Sequence, residues 1–395
     1  MKWKNKGHQL DSIGHLLDNK KSIYIYGASE WANEIILILN KCKKWLKWEI
    51  NFIDRDCSKQ KNGYLNFPVI SPEEFFKLDK NDLFVVVCAN KNSMNEMFLN
   101  LINHGFLINK NAFSGFYFLY YYLSVYFLYT YNMTFFTSQN IMPSTVCNLN
   151  CRHCLNFTPF IKNHTIYDLE MLKEDIDIYF KNVDLTYRFQ ITGGEPFLYP
   201  HLEELISYIS DNYKEKILQL ETISNGSVIP NDSLCKTLKD NEITIYIDDY
   251  RCSLPELKEK YSKVILKLKK YNIKLIENVV DTWMNLAPET TDNSGFSERE
   301  LELLFNRCSN PWSTLSNKKI SSCNYHHYAE KAGLCEYDST NYLDLTKITP
   351  EKKNELVEFR LRCNEKGYVG LCKHCAGWGD INPYSVKPAV QAPKI

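Results

Sequence analysis

Apolar and polar positions alternate regularly near the start of the chain. The run SIYIYGASEWANEIILILN, beginning at Ser22, joins a β-type apolar stretch to a helical period through a turn that contains Gly27. The strand-like runs WEINFIDRD and DLFVVVCAN follow, with the proline-marked turn FPVISPEEF between them. Strand and helix in alternation predict a parallel sheet with crossover helices, so we predict a small Rossmann-like domain over residues 1–110.

The same alternation returns in the second half of the chain. Helical periods are predicted for DLEMLKEDIDIYFKNV, HLEELISYISDNY, NDSLCKTLKDN and LPELKEKYSKVILKLKKYN, and strands for DLTYRFQIT, KILQLETIS, EITIYIDD and KLIENVV. Units of this length build a β/α barrel or part of one, whose active site lies at the carboxyl ends of the strands. The fold class predicted is α/β, with a partial barrel over residues 141–300.

An aromatic stretch separates these two blocks. Residues 111–140 contain FYFLYYYLSVYFLYTYNMTFF and no charged side chain. A membrane span keeps tyrosine to its interfaces, whereas tyrosine occurs here along the whole length. We therefore predict a linker helix buried between domains, with association to a membrane surface as the alternative.

Composition excludes several classes of function. The 395 residues suffice for two or three domains, and 47 basic residues balance 47 acidic ones, so nucleic acid is not expected as a partner. The N-terminal segment MKWKNKGHQLDSIGHLLDNKK has no apolar core of a secretion signal. We expect a cytoplasmic protein without membrane association.

The clustering of the fourteen cysteines points to metal binding rather than to disulfides, whereas five isolated ones are expected to be buried or incidental thiols, namely Cys42, Cys57, Cys88, Cys235 and Cys252. Three of them, Cys147, Cys151 and Cys154, lie in CNLNCRHC. Three thiolates on a four-iron, four-sulfur cluster leave one iron open for a ligand. The alternative is a zinc knuckle that adds His153, although zinc sites usually draw their cysteines in closely spaced pairs.

Two further motifs follow at the ends of predicted strands. QITGGEPFLYP contains Gly193, Gly194, Glu195 and Pro196, and TISNGS contains Ser224 and Asn225. Either could be a simple turn. Glycines allow a close backbone approach, and a carboxylate accepts hydrogen bonds from an ammonium group.

In this order the three motifs resemble the radical S-adenosylmethionine (radical SAM) superfamily. The resemblance spans about residues 141–380 and implies a [4Fe-4S] cluster on the three cysteines with S-adenosylmethionine on its open iron. It further implies that one electron cleaves S-adenosylmethionine and that the resulting 5′-deoxyadenosyl radical abstracts hydrogen from a substrate. The contacts it implies for the cofactor come from the glycines and from a set of side chains that comprises His153, Glu195, Pro196, Ser224 and Asn225.

The next strand ends in IDDYRC. Asp248 and Asp249 could position a hydroxylated substrate, and we count Asp248 among the catalytic candidates. Their alternative role is to cap the helix near Leu254. Trp283 could wall the substrate pocket or simply belong to the core.

Further cysteines follow over residues 301–395. Cys308, Cys323, Cys372 and Cys375 resemble the ligands of the twitch or SPASM extension, which implies one auxiliary [4Fe-4S] cluster. Structural zinc on these four residues is the alternative. Cys335 and Cys363 stand alone, so we expect the shorter, twitch-like form.

The substrate is predicted from the first domain. Its pattern of YGA, helix, aspartate and PV resembles the N-terminal domains of surface-polysaccharide enzymes, which implies a sugar, nucleotide-sugar or small polyol, although Ser29 and Ala32 replace glycines of a dinucleotide site. A scaffold domain without ligand is the alternative. For the whole protein the alternatives are a peptide or protein maturase and a non-catalytic iron-sulfur or zinc scaffold. We expect a reductant such as flavodoxin or ferredoxin.

Overall fold

In the computed structural model, residues 1–287 and 291–393 are described, and they divide into two compact units. The N-terminal unit is Leu10–Phe135. The barrel unit combines Met1–Gln9 with Phe136–Ile395. The predicted α/β class is confirmed, because parallel strands connected by helices dominate both units.

The N-terminal unit is a five-stranded parallel sheet with helices. Its elements are β1 Ser22–Tyr26, α1 Asn33–Lys41, β2 Glu49–Ile53, α2 Cys57–Asn62, β3 Val69–Ile70, α3 Pro72–Phe75, β4 Leu83–Val87, α4 Lys91–Asn103 and β5 Ala112–Ser114. The strand order is β3-β2-β1-β4-β5, the doubly wound arrangement expected of a Rossmann-like domain. All five residues of β4 are buried, which explains their continuous apolar run.

The aromatic stretch mostly belongs to this unit. After β5 the chain forms α5 Gly115–Tyr117, a π-helical turn Phe118–Tyr122, and α6 Leu123–Tyr131. The ring of Trp48 lies 4.8 Å from that of Phe84 and 4.7 Å from that of Tyr126, so the helix packs against the sheet. Among the described residues, no helix combines the length and the apolarity needed to cross a membrane.

The helix predicted over residues 111–140 is shorter than predicted. Its first residues form β5, which pairs with β4, and its last residues form β6 Phe135–Ile141. Every residue of β6 is buried. Periodicity alone cannot separate a fully buried strand from a buried helix, and both occur here within one uncharged run. The boundaries of the predicted domains otherwise stay a prediction.

The barrel unit alternates strands and helices as predicted. After β6 come α7 Leu169–Asn182, β7 Leu185–Ile191, α8 Leu202–Tyr213, β8 Ile217–Ser224, α9 Asp232–Asp240, β9 Thr244–Asp249, α10 Lys258–Lys270 and β10 Lys274–Val279. Strands β7 to β10 pair in parallel, each with the next. Side-chain caps help to define the helices: Asp168 begins α7 and Asn231 begins α9.

The C-terminal extension continues the barrel sheet. Its elements are β11 Trp283–Met284, α11 Glu298–Arg307, β12 Thr314–Ser316, β13 Lys319–Ser321, α12 Asn324–Lys331, β14 Tyr342–Asp344, α13 Lys353–Arg360 and β15 Ser385–Val386. The sheet order is β10-β9-β8-β7-β6-β12-β13-β14, with β12 parallel to β6. The barrel is therefore partial and open, with β10 and β14 as its edges in the described part of the chain.

One buried carboxylate contributes to the attachment of the first nine residues to the rest of the barrel unit. Glu358 on α13 is fully buried and accepts hydrogen bonds from Trp3 Nε1 at 2.8 Å, Gly7 N at 2.8 Å and Gln9 N at 2.7 Å. A buried carboxylate needs such donors, and this segment supplies three of them.

Candidate functional site

The three clustered cysteines lie on the loop after β6, at the carboxyl end of that strand. Cys147, Cys151 and Cys154 are partly buried and line one cavity of about 400 Å³. Burial and the neighbouring thiols raise the pKa of Cys147 and that of Cys151 to about 12. Because three adjacent thiolates repel one another, the loop favours a cationic group that they can share.

A segment near the C-terminus runs beside this loop. Gln391 Nε2 lies 3.6 Å from Cys151 Sγ, and Gln391 Oε1 accepts a hydrogen bond of 2.7 Å from Asn150 N. Backbone bonds join Arg152 N to Val390 O at 2.7 Å and Ala392 N to Asn150 O at 2.6 Å. The cysteine loop is therefore held on one side by an antiparallel pairing far away in sequence.

The glycines of the GGEP motif hold the loop on the other side. Gly194 N donates to Ser144 O at 3.0 Å, and Glu195 N donates to Val146 O at 2.8 Å. A Cβ atom at Gly194 would lie 2.1 Å from Val146 O, and one at Gly193 would lie 2.6 Å from Ser144 O. The glycines were predicted to allow a ligand close to the backbone. In the structure they allow the cysteine loop to approach the backbone closely, and both of them also line the cavity.

Glu195 and Pro196 are buried and do not belong to the described lining of the cavity. The Glu195 carboxylate accepts hydrogen bonds from Ser224 Oγ at 2.8 Å, Asn225 N at 2.9 Å and Phe197 N at 3.2 Å. Burial outweighs these donors and raises the pKa of Glu195 to about 7. The structure gives this side chain a role in joining the ends of β7 and β8, while its predicted contact to an ammonium group stays a prediction.

The SNG motif faces the cavity. Ser224 and Asn225 line it, as does His153 on the cysteine loop. Asn225 Nδ2 lies 3.8 Å from Cys147 Sγ and donates to Asn148 Oδ1 at 3.1 Å. Predicted cofactor residues from three separate segments thus share one cavity, because all of them follow the carboxyl ends of neighbouring strands.

The two aspartates at the end of β9 have different surroundings. Asp248 lines the cavity, accepts hydrogen bonds from Tyr250 OH at 3.0 Å and Asn278 Nδ2 at 2.9 Å, and has its pKa raised by burial. Asp249 pairs with Arg251 at 2.6 Å, which holds its pKa low. Of the two, Asp248 belongs to the described lining of the cavity and Asp249 does not, and neither side chain caps a helix near Leu254.

Sequence reasoning missed much of the cavity lining. Arg188 and Gln190 are alternate residues of β7, and Tyr246 and Asp248 are alternate residues of β9. Polar side chains at every second position of a buried strand are the signal that could have identified them. Aromatic and amide side chains complete the lining, among them Trp283, which was predicted, and Asn140, Asn278, Trp312, Asn324, Tyr325, Tyr328 and Trp378, which were not.

Arg188 is fixed by a buried ion pair. Its Nη2 and Nε lie 2.7 Å and 2.9 Å from the two carboxylate oxygens of Glu221, and its guanidinium lies 5.1 Å from the ring of Tyr246 and 5.0 Å from that of Trp312. Glu221 has no exposed surface. A bidentate pair between two aromatic rings is rigid, so the cavity has a preorganised polar wall.

The four C-terminal cysteines come together in a second cavity. Cys308, Cys323, Cys372 and Cys375 all line it, although 64 positions separate the first of them from the third. Burial raises the pKa of Cys372 to about 12 and that of Cys375 well above its usual value, and neighbouring thiols add to both effects. Four thiols around one cavity are the donor set of a closed iron-sulfur cluster or of structural zinc.

In neither set do the thiols lie as close together as the ligands of a bound metal ion do. Within residues 1–287 and 291–393, no three Cys, His, Asp or Glu side chains form a group that could hold a metal ion as they stand. The residues nevertheless fit the implied groups by donor chemistry, since three thiols share the first cavity and four the second.

In the N-terminal unit, the turn after β1 is packed against the end of β2 and the segment after β4. Asp54, at the end of β2, accepts from Ala28 N at 2.9 Å and pairs with Lys59 Nζ at 3.3 Å. A Cβ atom at Gly27 would lie 2.3 Å from Cys88 O, so this glycine allows backbone packing.

Known proteins resemble the barrel unit. Residues 141–294 match the family model described as Radical SAM superfamily. An uncharacterised protein of Methanocaldococcus jannaschii is 30% identical over 151 residues, which cover 35% of this chain and 51% of that protein. The antilisterial bacteriocin subtilosin biosynthesis protein AlbA of Bacillus subtilis is 33% identical over 100 residues, 25% of this chain and 20% of that protein. The chain thus spans about half, or less, of the length of these curated relatives.

Solved structures match this chain at low similarity. Native anSMEcpe with bound AdoMet and Cp18Cys peptide is 16% identical, with a TM-score of 0.40, over 61% of this chain and 88% of that chain. BtrN in complex with AdoMet and 2-DOIA is 13% identical, with a TM-score of 0.38, over 64% of this chain and 98% of that chain. The family model and the three motifs around one cavity agree: residues 141–294 of this chain are similar to the radical SAM superfamily.

Proposed function

We propose that the protein is a radical SAM enzyme that oxidises a sugar, a nucleotide-sugar or another small polyol. The observation that carries the proposal is one cavity of about 400 Å³ in which Cys147, Cys151 and Cys154 meet aromatic and amide side chains. A few convergent polar groups in such a cavity define specificity.

The cofactor would be held by residues from three strand ends. The three thiols of the cysteine loop would bind a [4Fe-4S] cluster, and Gly193, Gly194, Ser224, Asn225 and His153 line the space beside them. When bound, the cluster supplies the electron that cleaves S-adenosylmethionine, which then yields the radical that abstracts a hydrogen atom. The chain's own part is to orient the cofactor and to keep water out through the Gln391 segment and the aromatic walls.

The remaining lining suits a hydroxylated ring. Trp312 and Tyr246 offer flat apolar faces, and Asn140, Asn278 and Asn324 offer both donors and acceptors of hydrogen bonds. The aromatic faces can pack against the C–H groups of a sugar or polyol, and the amides can form hydrogen bonds with its hydroxyl groups. Arg188 adds a fixed positive group that favours oxygen-rich substrates.

Asp248 would accept the proton in the oxidation of an alcohol. Loss of one hydrogen atom from carbon, one proton from oxygen and one electron converts an alcohol to a carbonyl. Burial raises the pKa of Asp248, which makes its carboxylate a better base than an exposed one. Cys308, Cys323, Cys372 and Cys375 would hold an auxiliary [4Fe-4S] cluster, which would supply an acceptor for that electron, and a flavodoxin or ferredoxin would serve as the external redox partner.

Maturation of a peptide is the second candidate function. It is supported by the likeness to AlbA, a protein of subtilosin biosynthesis, over 100 residues. The same three thiols and the same auxiliary cysteines would serve a peptide side chain.

The test begins with cofactor cleavage. Reduced protein incubated anaerobically with S-adenosylmethionine should form 5′-deoxyadenosine, and Cys151→Ala should abolish it. Cys57→Ala, which removes an exposed thiol of the N-terminal unit, should not. If the wild type formed no 5′-deoxyadenosine with several reductants, the proposed enzymatic function would be contradicted and a metal-bearing scaffold would be supported.

Deuterium then identifies the substrate class. C-deuterated sugars, nucleotide-sugars, polyols and peptides are offered separately, and the 5′-deoxyadenosine is analysed by mass spectrometry. Deuterium from a sugar or polyol supports the first candidate. Deuterium from peptides alone would replace it with the second.

A further inference from the structure

One cation lines the cavity of the four C-terminal cysteines. Arg362 shares this lining with Cys308, Cys323, Cys372 and Cys375. Its guanidinium carbon lies 3.8 Å from the centre of the Phe305 ring, and its Nη1 donates to the backbone oxygen of Cys308. Both contacts fix the side chain beside the thiols.

Part of this guanidinium has no partner. The Nε atom of Arg362 is buried and makes no hydrogen bond. A buried N–H group without an acceptor costs free energy, about 1–3 kcal/mol, and native proteins rarely keep one without a reason. An acceptor in the cavity would satisfy it, and sulfur atoms carrying negative charge are acceptors of that kind.

The backbone at this position is also unfavourable. Arg362 has φ of +70°, in the left-handed region that favours glycine and asparagine. Arginine does not favour that backbone conformation, so a favourable interaction of its side chain must offset the conformational free energy. An asparagine or glycine here would relieve the backbone and would remove the cation from the cavity.

We propose that Arg362 sets the reduction potential of the auxiliary cluster held by the four cysteines. This inference rests on the proposed function. A four-iron cluster with four thiolates is negatively charged, and it becomes more so when reduced. A fixed positive charge and a free N–H group beside it stabilise the reduced form more than the oxidised one, which raises the potential. Arg362 is therefore a positioning residue that suits the cluster to accept an electron.

The test measures the potential directly. In a Cys147/Cys151/Cys154→Ala background only the auxiliary cluster remains, and a redox titration followed by electron paramagnetic resonance gives its midpoint. We expect Arg362→Gln to lower the one-electron equilibrium constant at least tenfold, a shift of 59 mV. Arg362→Lys keeps the charge without the planar donor and should shift it less. Arg307→Gln, an exposed arginine next to Cys308, is the matched control and should leave it unchanged.

Each outcome decides the inference. Arg362→Gln with about four irons and an unchanged midpoint would overturn the role of Arg362 and leave the auxiliary cluster standing. Zinc instead of iron in the triple variant would overturn the inference together with the auxiliary cluster. Arg362→Lys retains the cation in the cavity. A smaller shift in this variant than in Arg362→Gln would attribute the change in potential to the charge rather than to misfolding.

Discussion

Ser224 Oγ donates a hydrogen bond of 2.8 Å to Glu195 Oε1, which joins the SNG motif to the GGEP motif across the ends of β8 and β7. Both side chains are buried. Two motifs that are 29 positions apart in sequence therefore support one another physically, and the carboxylate that connects them lies at the centre of the contact.

The pH dependence of stability should reveal this carboxylate. The pKa of Glu195 is raised from 4.5 to about 7 in the folded protein. Between these values the folded state keeps a proton that the unfolded chain has lost, so the free energy of unfolding falls as pH rises, by about 3 kcal/mol in total. Glu195→Gln should reduce the measured slope by this contribution. Urea unfolding of the metal-free protein at pH 5, 6, 7 and 8 measures it.

The exposed Glu215→Gln is the matched control and should retain the slope. If wild type and Glu195→Gln had parallel pH profiles, the buried carboxylate would not be the titrating group.

Gly194→Ala should damage the cysteine loop. The added Cβ would meet Val146 O at 2.1 Å, and the backbone at that contact must move. Crowding of this kind costs about 1–3 kcal/mol, and the displaced loop should bind less iron. Thermal unfolding and iron content after anaerobic reconstitution measure both effects.

Gly295→Ala provides the comparison, because nothing lies within 4 Å of a Cβ at that position. It should leave melting temperature and iron content unchanged. Equal behaviour of the two variants would show that the close approach at Gly194 does not matter.

The two cysteine sets should contribute equally to the iron content. We expect about eight irons in the wild type, about four in Cys147/Cys151/Cys154→Ala, and about four in Cys372/Cys375→Ala. Cys57→Ala removes an exposed thiol and should retain all of them. Iron and sulfide analysis measures these contents. Zinc in place of four irons would mean that the C-terminal cysteines hold a structural metal ion.

The two aspartates of β9 should differ in turnover. Asp248→Asn removes the carboxylate from the cavity, and loss of a general base lowers the rate about 10²- to 10⁴-fold. Asp249→Asn affects only the pair with Arg251 and should leave turnover near the wild-type value. Product per 5′-deoxyadenosine, measured with the substrate found by deuterium transfer, is the readout. Equal losses in both variants would remove Asp248 from the proposed chemistry.

The partial barrel was predictable from the sequence almost element by element. Helices such as DLEMLKEDIDIYFKNV occur at Leu169–Asn182, and strands such as EITIYIDD occur at Thr244–Asp249. Their periods are clear because each element buries one face and exposes the other, or is buried throughout and flanked by turns. The aromatic stretch was less clear because its strand and helix residues are equally apolar.

From the sequence alone came the candidate chemistry: the spacing of three thiols indicated a metal site, and the resemblance carried by the GGEP and SNG motifs and by four further cysteines implied the remaining ligands. Tertiary structure decided what these groups face. It gave Asp248 and Asp249 different partners and buried Glu195 in a hydrogen bond with Ser224. It also placed Arg188 and Trp312 in the lining of the first cavity and Arg362 in that of the second. These relationships depend on contacts between residues far apart in the chain, and a pattern read along one strand or helix carries no information about its partner.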